Sequence, residues 1–291
     1  MIVLTGANRS GTSFVANLLL ELGCDLGPSD LLLGRDHRNE RGYFENKEIL
    51  AANLSLLLGP WVDSTLWVDE IERRRSIPWR TKLFMLAAKI QYFSGWRWTL
   101  SRRAAAQRER LSQLAARYSG VLVNDARFSS TMSVWRQYAA IERVLYVYRH
   151  PACVARSMKV AYGLPVTLGY VFWCQRVREF LLQAEGIPVV FVQYDRFFDP
   201  DGWQSEVERL CLFLGRSFDA HQAMQALARI RAPELRHWDE GHSTEVSARA
   251  LEVYTLLNRY HQQYSALSPL VSPADVRSSG RRGRPAPTPW S

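Results

Sequence analysis

The chain has 291 residues, 47% of them hydrophobic and 22% charged, the composition of an ordinary globular protein, which sets aside disorder, collagen and coiled coil. Thirty-seven Lys and Arg against 28 Asp and Glu give a net charge of +9, so the surface favours anionic partners: nucleic acid, acidic lipid or a phosphorylated small molecule. In 272–291, a stretch rich in Pro, Gly and Ser, Arg277, Arg281, Arg282 and Arg284 face only Asp275. Residues 1–270 are therefore expected to form one domain and 271–291 a basic, disordered tail.

Taken in chain order, the first element is the apolar, β-branched run Ile2 to Leu4. Comparable runs recur at 121–123, 144–147 and 189–192. Helical periodicity is expected at about 12–22, 47–58, 79–95, 102–118, 129–139, 151–160, 167–184, 202–214, 219–231 and 245–264. Pro151 suits the first position of a helix, where its missing N–H is not needed, and the turn Asp199-Pro200-Asp201-Gly202 supplies an N-cap for the helix that follows. Short buried strands alternating with helices predict an α/β class, three layers around a central parallel sheet of four or five strands. The segment 61–98 breaks this rhythm with five of the ten tryptophans, so about 61–118 reads as a helical insertion and a lid over an acceptor.

Cys24, Cys153, Cys174 and Cys211 lie far apart, with no C-x-x-C pair and no His at metal-ligand spacing, so neither a disulfide framework nor a metal site is expected. The start MIVLTGANRSGTS lacks a basic segment followed by a long apolar stretch, and no window approaches 18 apolar residues. A soluble, cytoplasmic protein is the expectation.

The run Ile2 to Leu4 leads into Gly6-Ala7-Asn8-Arg9-Ser10-Gly11-Thr12-Ser13 and then a helical pattern. Backbone N–H groups in such a strand–loop–helix turn point at an anion, and the helix dipole adds to their pull. The spacing matches G-x-x-x-x-G-K-[ST] except that Thr12 stands where the lysine belongs; Arg9 supplies the positive charge from within the loop, and ATP hydrolysis is disfavoured. A Gly-rich connecting turn is the plainer reading. A second anion site is suggested where the strand 144–148 ends in Arg149, with Ser157 eight residues on, two turns into the next helix. In a parallel sheet both features face one rim, and a ligand with two separated phosphates would explain both. The plainer alternative is an Arg paired with a nearby carboxylate and a Ser bonded to its own helix.

With these residues in place the chain resembles the sulfotransferases that use 3′-phosphoadenosine 5′-phosphosulfate, a P-loop-like fold, and among them the bacterial small-molecule and carbohydrate type. Arg9-Ser10-Gly11-Thr12-Ser13 is similar to the family's x-[KR]-[SA]-G-T-[TS] loop for the 5′-phosphosulfate, with Asn8 beside it. Arg149 and Ser157 match its 3′-phosphate pair, and Val192 to Phe197 resembles the strand end whose tyrosine, here Tyr194, lies by the adenine. The resemblance implies a donor, 3′-phosphoadenosine 5′-phosphosulfate, a product, adenosine 3′,5′-bisphosphate, no metal, and transfer to a hydroxyl, or less readily an amine, of a small-molecule, glycan or natural-product acceptor. It covers roughly 2–60 and 120–215.

In-line sulfuryl transfer needs a cation near the leaving oxygen and a base for the acceptor proton. Arg9 is the expected cation, while Thr12 and Ser13 can donate to the 5′-phosphate. Asn39 to Asn46 resembles the N-x-x-G-[YF]-[FW]-E stretch of one bacterial group, whose relatives draw a glutamate base from this part of the chain. Glu45 is therefore the expected base, with Glu40, His37 and Asp125 behind it; a carboxylate serving a helix N-terminus is the alternative for Glu45. Asn124 to Phe128 resembles the family's K-D-P-R strand end, with Asn124 for the lysine and Ala126 for the proline. Arg127 either replaces the lost cation or pairs with Asp125 as scaffold.

Two other functions compete. A nucleotide or small-molecule kinase shares the loop and the sheet but calls for the P-loop lysine and Mg²⁺ carboxylates. A non-enzymatic module would bind membrane or nucleic acid through the basic, Trp-rich 61–98 segment, whose Leu83, Leu86, Ala87, Ile90 and Phe93 share a helical face. The sulfotransferase reading expects no specific nucleic acid, with peripheral membrane contact through 61–98 as the one lipid-facing option.

Overall fold

The computed structural model describes residues 1–34, 42–59, 99–231 and 246–263. His37, Glu40, the 61–98 tryptophan segment with its expected helix at 79–95, and the 271–291 tail lie outside them. Four short runs become strands: β1 (Ile2–Gly6), β2 (Leu122–Asn124), β3 (Arg143–Tyr148) and β4 (Val189–Gln193). They form one sheet in the order β2-β1-β3-β4, every pairing parallel.

Because successive strand side chains point to opposite faces, each strand feeds two cores. Val3, Val144, Tyr146, Tyr148, Val189 and Phe191 enter one, while Leu4, Leu145, Val147, Val190 and Val192 enter the other. Both faces are covered by helices, the condition under which parallel strands read as unbroken apolar runs. The α/β, three-layer expectation is met with four strands among the described residues.

The helices follow in chain order: α1 (Thr12–Glu21), α2 (Lys47–Leu58), α3 (Leu100–Ala106), α4 (Arg108–Arg117), α5 (Phe128–Trp135), α6 (Pro151–Tyr162), α7 (Val166–Gln183), α8 (Trp203–Phe213), α9 (Ala220–Ile230) and α10 (Ala248–Gln263). One face carries α1, α8 and α9; the other carries α2, α3, α4, α5, α6, α7 and α10. The single helix expected at 102–118 is instead two, broken at Gln107. A tertiary contact sets the placement of α3: Arg103 Nη1 donates to the carbonyls of Leu56 and Leu57 at 3.0 and 2.7 Å, satisfying the C-terminal end of α2. The helix expected at 129–139 stops at Trp135 and continues as turn.

The two parallel neighbours of β1 are reached in opposite directions, β2 on one side and β3 on the other. In open α/β sheets a crevice for ligands opens outside the carboxyl ends of the strands at such a reversal. The loop after β1 and the end of β3 flank this crevice.

Candidate functional site

The loop after β1 is shaped by two glycines. A Cβ on Gly6 would lie 2.2 Å from the Val147 carbonyl oxygen, opposite it in β3, so glycine lets the strands stay paired as the loop begins. Gly11 has φ +97°, and its added Cβ would lie 2.1 Å from Cδ2 of Tyr194. Between them the Ser10 N–H donates to the Ala7 carbonyl at 3.1 Å and Arg9 takes φ +70°. Helix α1 then starts at Thr12 with no side-chain cap and no acidic residue in its first turn. Its leading N–H groups have no intrahelical partner and carry the positive end of the dipole, which makes the turn an anion cradle. Ser10 Oγ is buried without a hydrogen-bond partner among the described residues.

Arg149 follows β3 directly and is 5% exposed. Its Nε donates to Asp195 Oδ1 at 3.2 Å, and its Cζ stands 4.5 Å from the centroid of the Tyr194 ring, within cation–π range. The plainer sequence reading, an Arg paired with a carboxylate, is thus part of the arrangement: Asp195 orients the guanidinium against Tyr194. Ser157, two turns into α6, accepts a hydrogen bond from Arg9 Nε at 2.9 Å. The loop and the β3–α6 segment therefore meet directly.

The two features share one cleft that opens to solvent. Asn8, Arg9, Gly11, Thr12, Ser13, Arg149, Ser157, Tyr194 and Glu45 all line it. Ser10 sits in the loop but behind its surface. Phe14, Asn17, Tyr43, Phe44, Ala126, Tyr162 and Ile230 complete the lining of the cleft.

Glu45 reaches the cleft on a short strap. Leu33 N–H donates to the Glu45 carbonyl at 2.7 Å, Phe44 N–H to the Leu33 carbonyl at 3.2 Å, and Asn124 Nδ2 to the Tyr43 carbonyl at 2.9 Å. Asn124, which stands where the resembled family has lysine, thus braces the strap. Phe44 is held at φ +53°, a region that costs an aromatic residue roughly 1–3 kcal/mol and persists only where its surroundings impose it. The next helix, α2, is capped by Asn46, whose Oδ1 accepts from the N–H groups of Glu48 and Ile49. The side-chain cap of α2 is therefore Asn46 and not Glu45.

Its carboxylate instead meets Arg127. Arg127 Nη1 lies 2.9 Å from Glu45 Oε2 and 2.7 Å from Asp125 Oδ1. Burial pushes the Glu45 carboxyl up to about 7; the Arg127 charge opposes the rise, the Asp125 charge adds to it, and the hydrogen bond from Arg127 opposes it. The side chain remains 10% exposed, on the cleft. Asp125 is different: it is fully buried and absent from the cleft lining, with Asn53 Nδ2 on its Oδ2 at 2.8 Å and Arg127 on its Oδ1. The expectation that Asp125 is catalytic is corrected on this ground, because a carboxylate sealed behind Arg127 cannot touch an acceptor. Arg127 is thus the partner of Asp125, the second of its two sequence readings, and it meets Glu45 as well; like Asp125 it is absent from the cleft lining.

Sequence reasoning passed over Asn53, Asp195 and Tyr162. Asp195 had a signal, its place beside Tyr194 at a strand end. Asn53, in the middle of α2, had none.

Among the described residues the four cysteines are free and buried, no group of three His, Cys, Asp or Glu is arranged to hold a metal, and no helix is long and apolar enough to cross a membrane. No protein-family model matches the chain, and no curated protein matches it. Among solved structures it is similar to the sulfotransferase domain of the olefin synthase from Synechococcus PCC 7002, at 16% identity over 90% of this chain and 86% of that one, with a TM-score of 0.37. A likeness that distant bears no weight below, where the reading rests on the residues of the cleft.

Proposed function

We propose that the protein is a sulfotransferase that moves a sulfuryl group from 3′-phosphoadenosine 5′-phosphosulfate to a hydroxyl of a small-molecule, glycan or natural-product acceptor, as a soluble, cytoplasmic enzyme. The observation that carries this reading is that the Asn8–Ser13 loop and the pair Arg149 and Ser157 line a single cleft. Two cationic features on one rim suit two separated phosphates better than one triphosphate chain. The residues present fit such a ligand: an uncapped helix start, a backbone approach that a Cβ at Gly11 would block, and a guanidinium already oriented by Asp195.

When bound, the donor supplies an SO₃ unit, whose bond to the bridging phosphate oxygen breaks as the acceptor oxygen bonds to sulfur, leaving adenosine 3′,5′-bisphosphate. The Thr12 and Ser13 N–H and hydroxyl groups hold the 5′-phosphate, and Arg9 neutralises charge on the leaving oxygen. Arg149 and Ser157 hold the 3′-phosphate through charge-assisted and neutral hydrogen bonds. Tyr194, packed between Gly11 and Arg149 and all but buried, lines the cleft on the side of the purine. Glu45, on the same cleft, accepts the acceptor proton on Oε1 while Oε2 stays with Arg127. A carboxyl that titrates near 7 suits a base at neutral pH.

The kinase alternative draws no support from the strand-end carboxylate, since Asp125 spends its oxygens on Arg127 and Asn53. The acceptor is best sought by screening hydroxylated metabolites with labelled donor. Sulfated product expected from at least one class supports the reading, and phosphorylated product from ATP and Mg²⁺ would replace it with the kinase.

A further inference from the structure

Behind Glu45 runs a chain of buried polar groups that the transfer itself does not touch. Asn53 is fully buried. Its Oδ1 accepts from Thr131 Oγ1 at 2.8 Å and from Trp135 Nε1 at 2.7 Å. Two donors on that atom fix the amide's orientation, because its other end must then be the NH₂. That end donates to Asp125 Oδ2 at 2.8 Å. The other Asp125 oxygen takes both the Arg127 N–H at 2.8 Å and Arg127 Nη1 at 2.7 Å, and the same Nη1 reaches Glu45 Oε2 at 2.9 Å. Four elements contribute: α2, the β2–α5 turn, α5 and the strap. Every link lies within hydrogen-bonding distance, and partly satisfied networks of this kind are costly.

We propose that Asn53, Asp125 and Arg127 are positioning residues that fix the Glu45 carboxyl at the cleft wall and share one guanidinium between two carboxylates, so that Glu45 is held without being fully neutralised. This rests on the reading of Glu45 as the proton acceptor. A sole Arg127–Glu45 pair would make a firm ion pair and a poor base; Asp125 draws part of the cation's charge away, and Asn53 keeps Asp125 from turning. Among the described residues the charged groups facing Glu45 are Arg127 and Asp125 from the β2–α5 turn, with Arg9 from the loop and Arg149 from the end of β3 on the same cleft.

The test is the pH midpoint of Glu45, read by carbodiimide and glycinamide labelling of the full chain with peptide mass spectrometry, which needs neither donor nor acceptor. Arg127→Met should move the midpoint upward by about one pH unit or more, because an adjacent cation is lost. Asp125→Asn should move it downward, because the guanidinium then serves Glu45 alone. Simple loosening of the site would expose Glu45 to water and move both variants down toward its ordinary 4.5. A downward or absent shift in Arg127→Met overturns the proposal. Arg127→Gln must move the midpoint upward as well and replaces Met where that variant does not fold. Asn53→Ser keeps all three charges, and it should lower turnover while leaving the affinity for adenosine 3′,5′-bisphosphate unchanged; equal loss of both would mark Asn53 as scaffold. If the unaltered protein fails to bind adenosine 3′,5′-bisphosphate while the midpoints shift in opposite directions, the donor reading falls and the network stands.

Discussion

The two walls of the cleft are built by different means. The cationic wall comes from two short stretches, 6–13 and 149–157, in which backbone geometry and nearby side chains already define the chemistry: Gly6 and Gly11 shape the loop, and Arg149 and Ser157 are spaced by two helical turns. The acidic wall is assembled from residues far apart in sequence, Glu45, Asn53, Asp125 and Arg127, none of which means much alone. An anion cradle can therefore be encoded locally, whereas a buried carboxyl with a displaced pKa requires the finished fold to surround it.

The largest expected effect breaks the acidic wall. Glu45→Gln keeps the shape and most hydrogen bonding, so adenosine 3′,5′-bisphosphate should bind as before while turnover of a discovered acceptor falls by about 10²–10⁴-fold. Unchanged turnover across a pH series would return Glu45 to a structural role.

The same residue makes a prediction about stability. The folded-state pKa of Glu45 is raised from 4.5 to about 7, so between those values the folded chain keeps a proton that the unfolded chain has released. Stability should then fall as pH rises through that window, by roughly 3 kcal/mol in total, and the fall should be missing in Glu45→Gln. Urea unfolding of both proteins at pH 5 and pH 8 checks this. A difference between them that stays constant with pH would contradict the buried, raised carboxyl.

The cationic wall should respond through binding. Arg149→Ala should weaken adenosine 3′,5′-bisphosphate by ~1.5–3 kcal/mol, the range for a charge-assisted hydrogen bond, and spare adenosine 5′-monophosphate; Ser157→Ala should act in the same direction by less. Equal losses for both nucleotides, measured by calorimetry, would show that the pair supports the fold and does not read a 3′-phosphate.

Gly11→Ala sharpens the contrast with a smaller effect. Its Cβ would collide with the Tyr194 ring and sit at φ +97°, a strain of about 1–3 kcal/mol. The expected outcome is a lower melting temperature with weaker binding of both nucleotides, since Tyr194 and the loop move together. A variant as stable as the parent, with unchanged affinity, would remove Tyr194 from the site.

This contrast also explains what could be read before the fold was known. Short apolar runs announced the α/β class because strands buried on both faces are apolar throughout, and the glycine loop was legible as a tight strand-to-helix turn because its geometry is local. The order β2-β1-β3-β4 was not legible, since parallel pairing joins residues as distant as Ile2 and Arg143. Nor was the break at Gln107, where no local signal marks the end of α3 or its docking through Arg103 onto α2. Asp125 looked catalytic at a strand end, and only the side chains of Asn53 and Arg127 show that it is sealed. Asn53 itself reads as an ordinary polar residue in a helix until Trp135 and Thr131 are folded against it.

The central claim is that one cleft reads two separated phosphates, and isothermal titration of the protein with adenosine 3′,5′-bisphosphate, adenosine 5′-monophosphate and ATP tests it most directly. The predicted result is that the bisphosphate binds at least about tenfold more tightly than the monophosphate, the equivalent of ~1.4 kcal/mol, without any need for divalent metal. Equal affinity for the two adenosine nucleotides, or tighter and Mg²⁺-dependent binding of ATP, would contradict it.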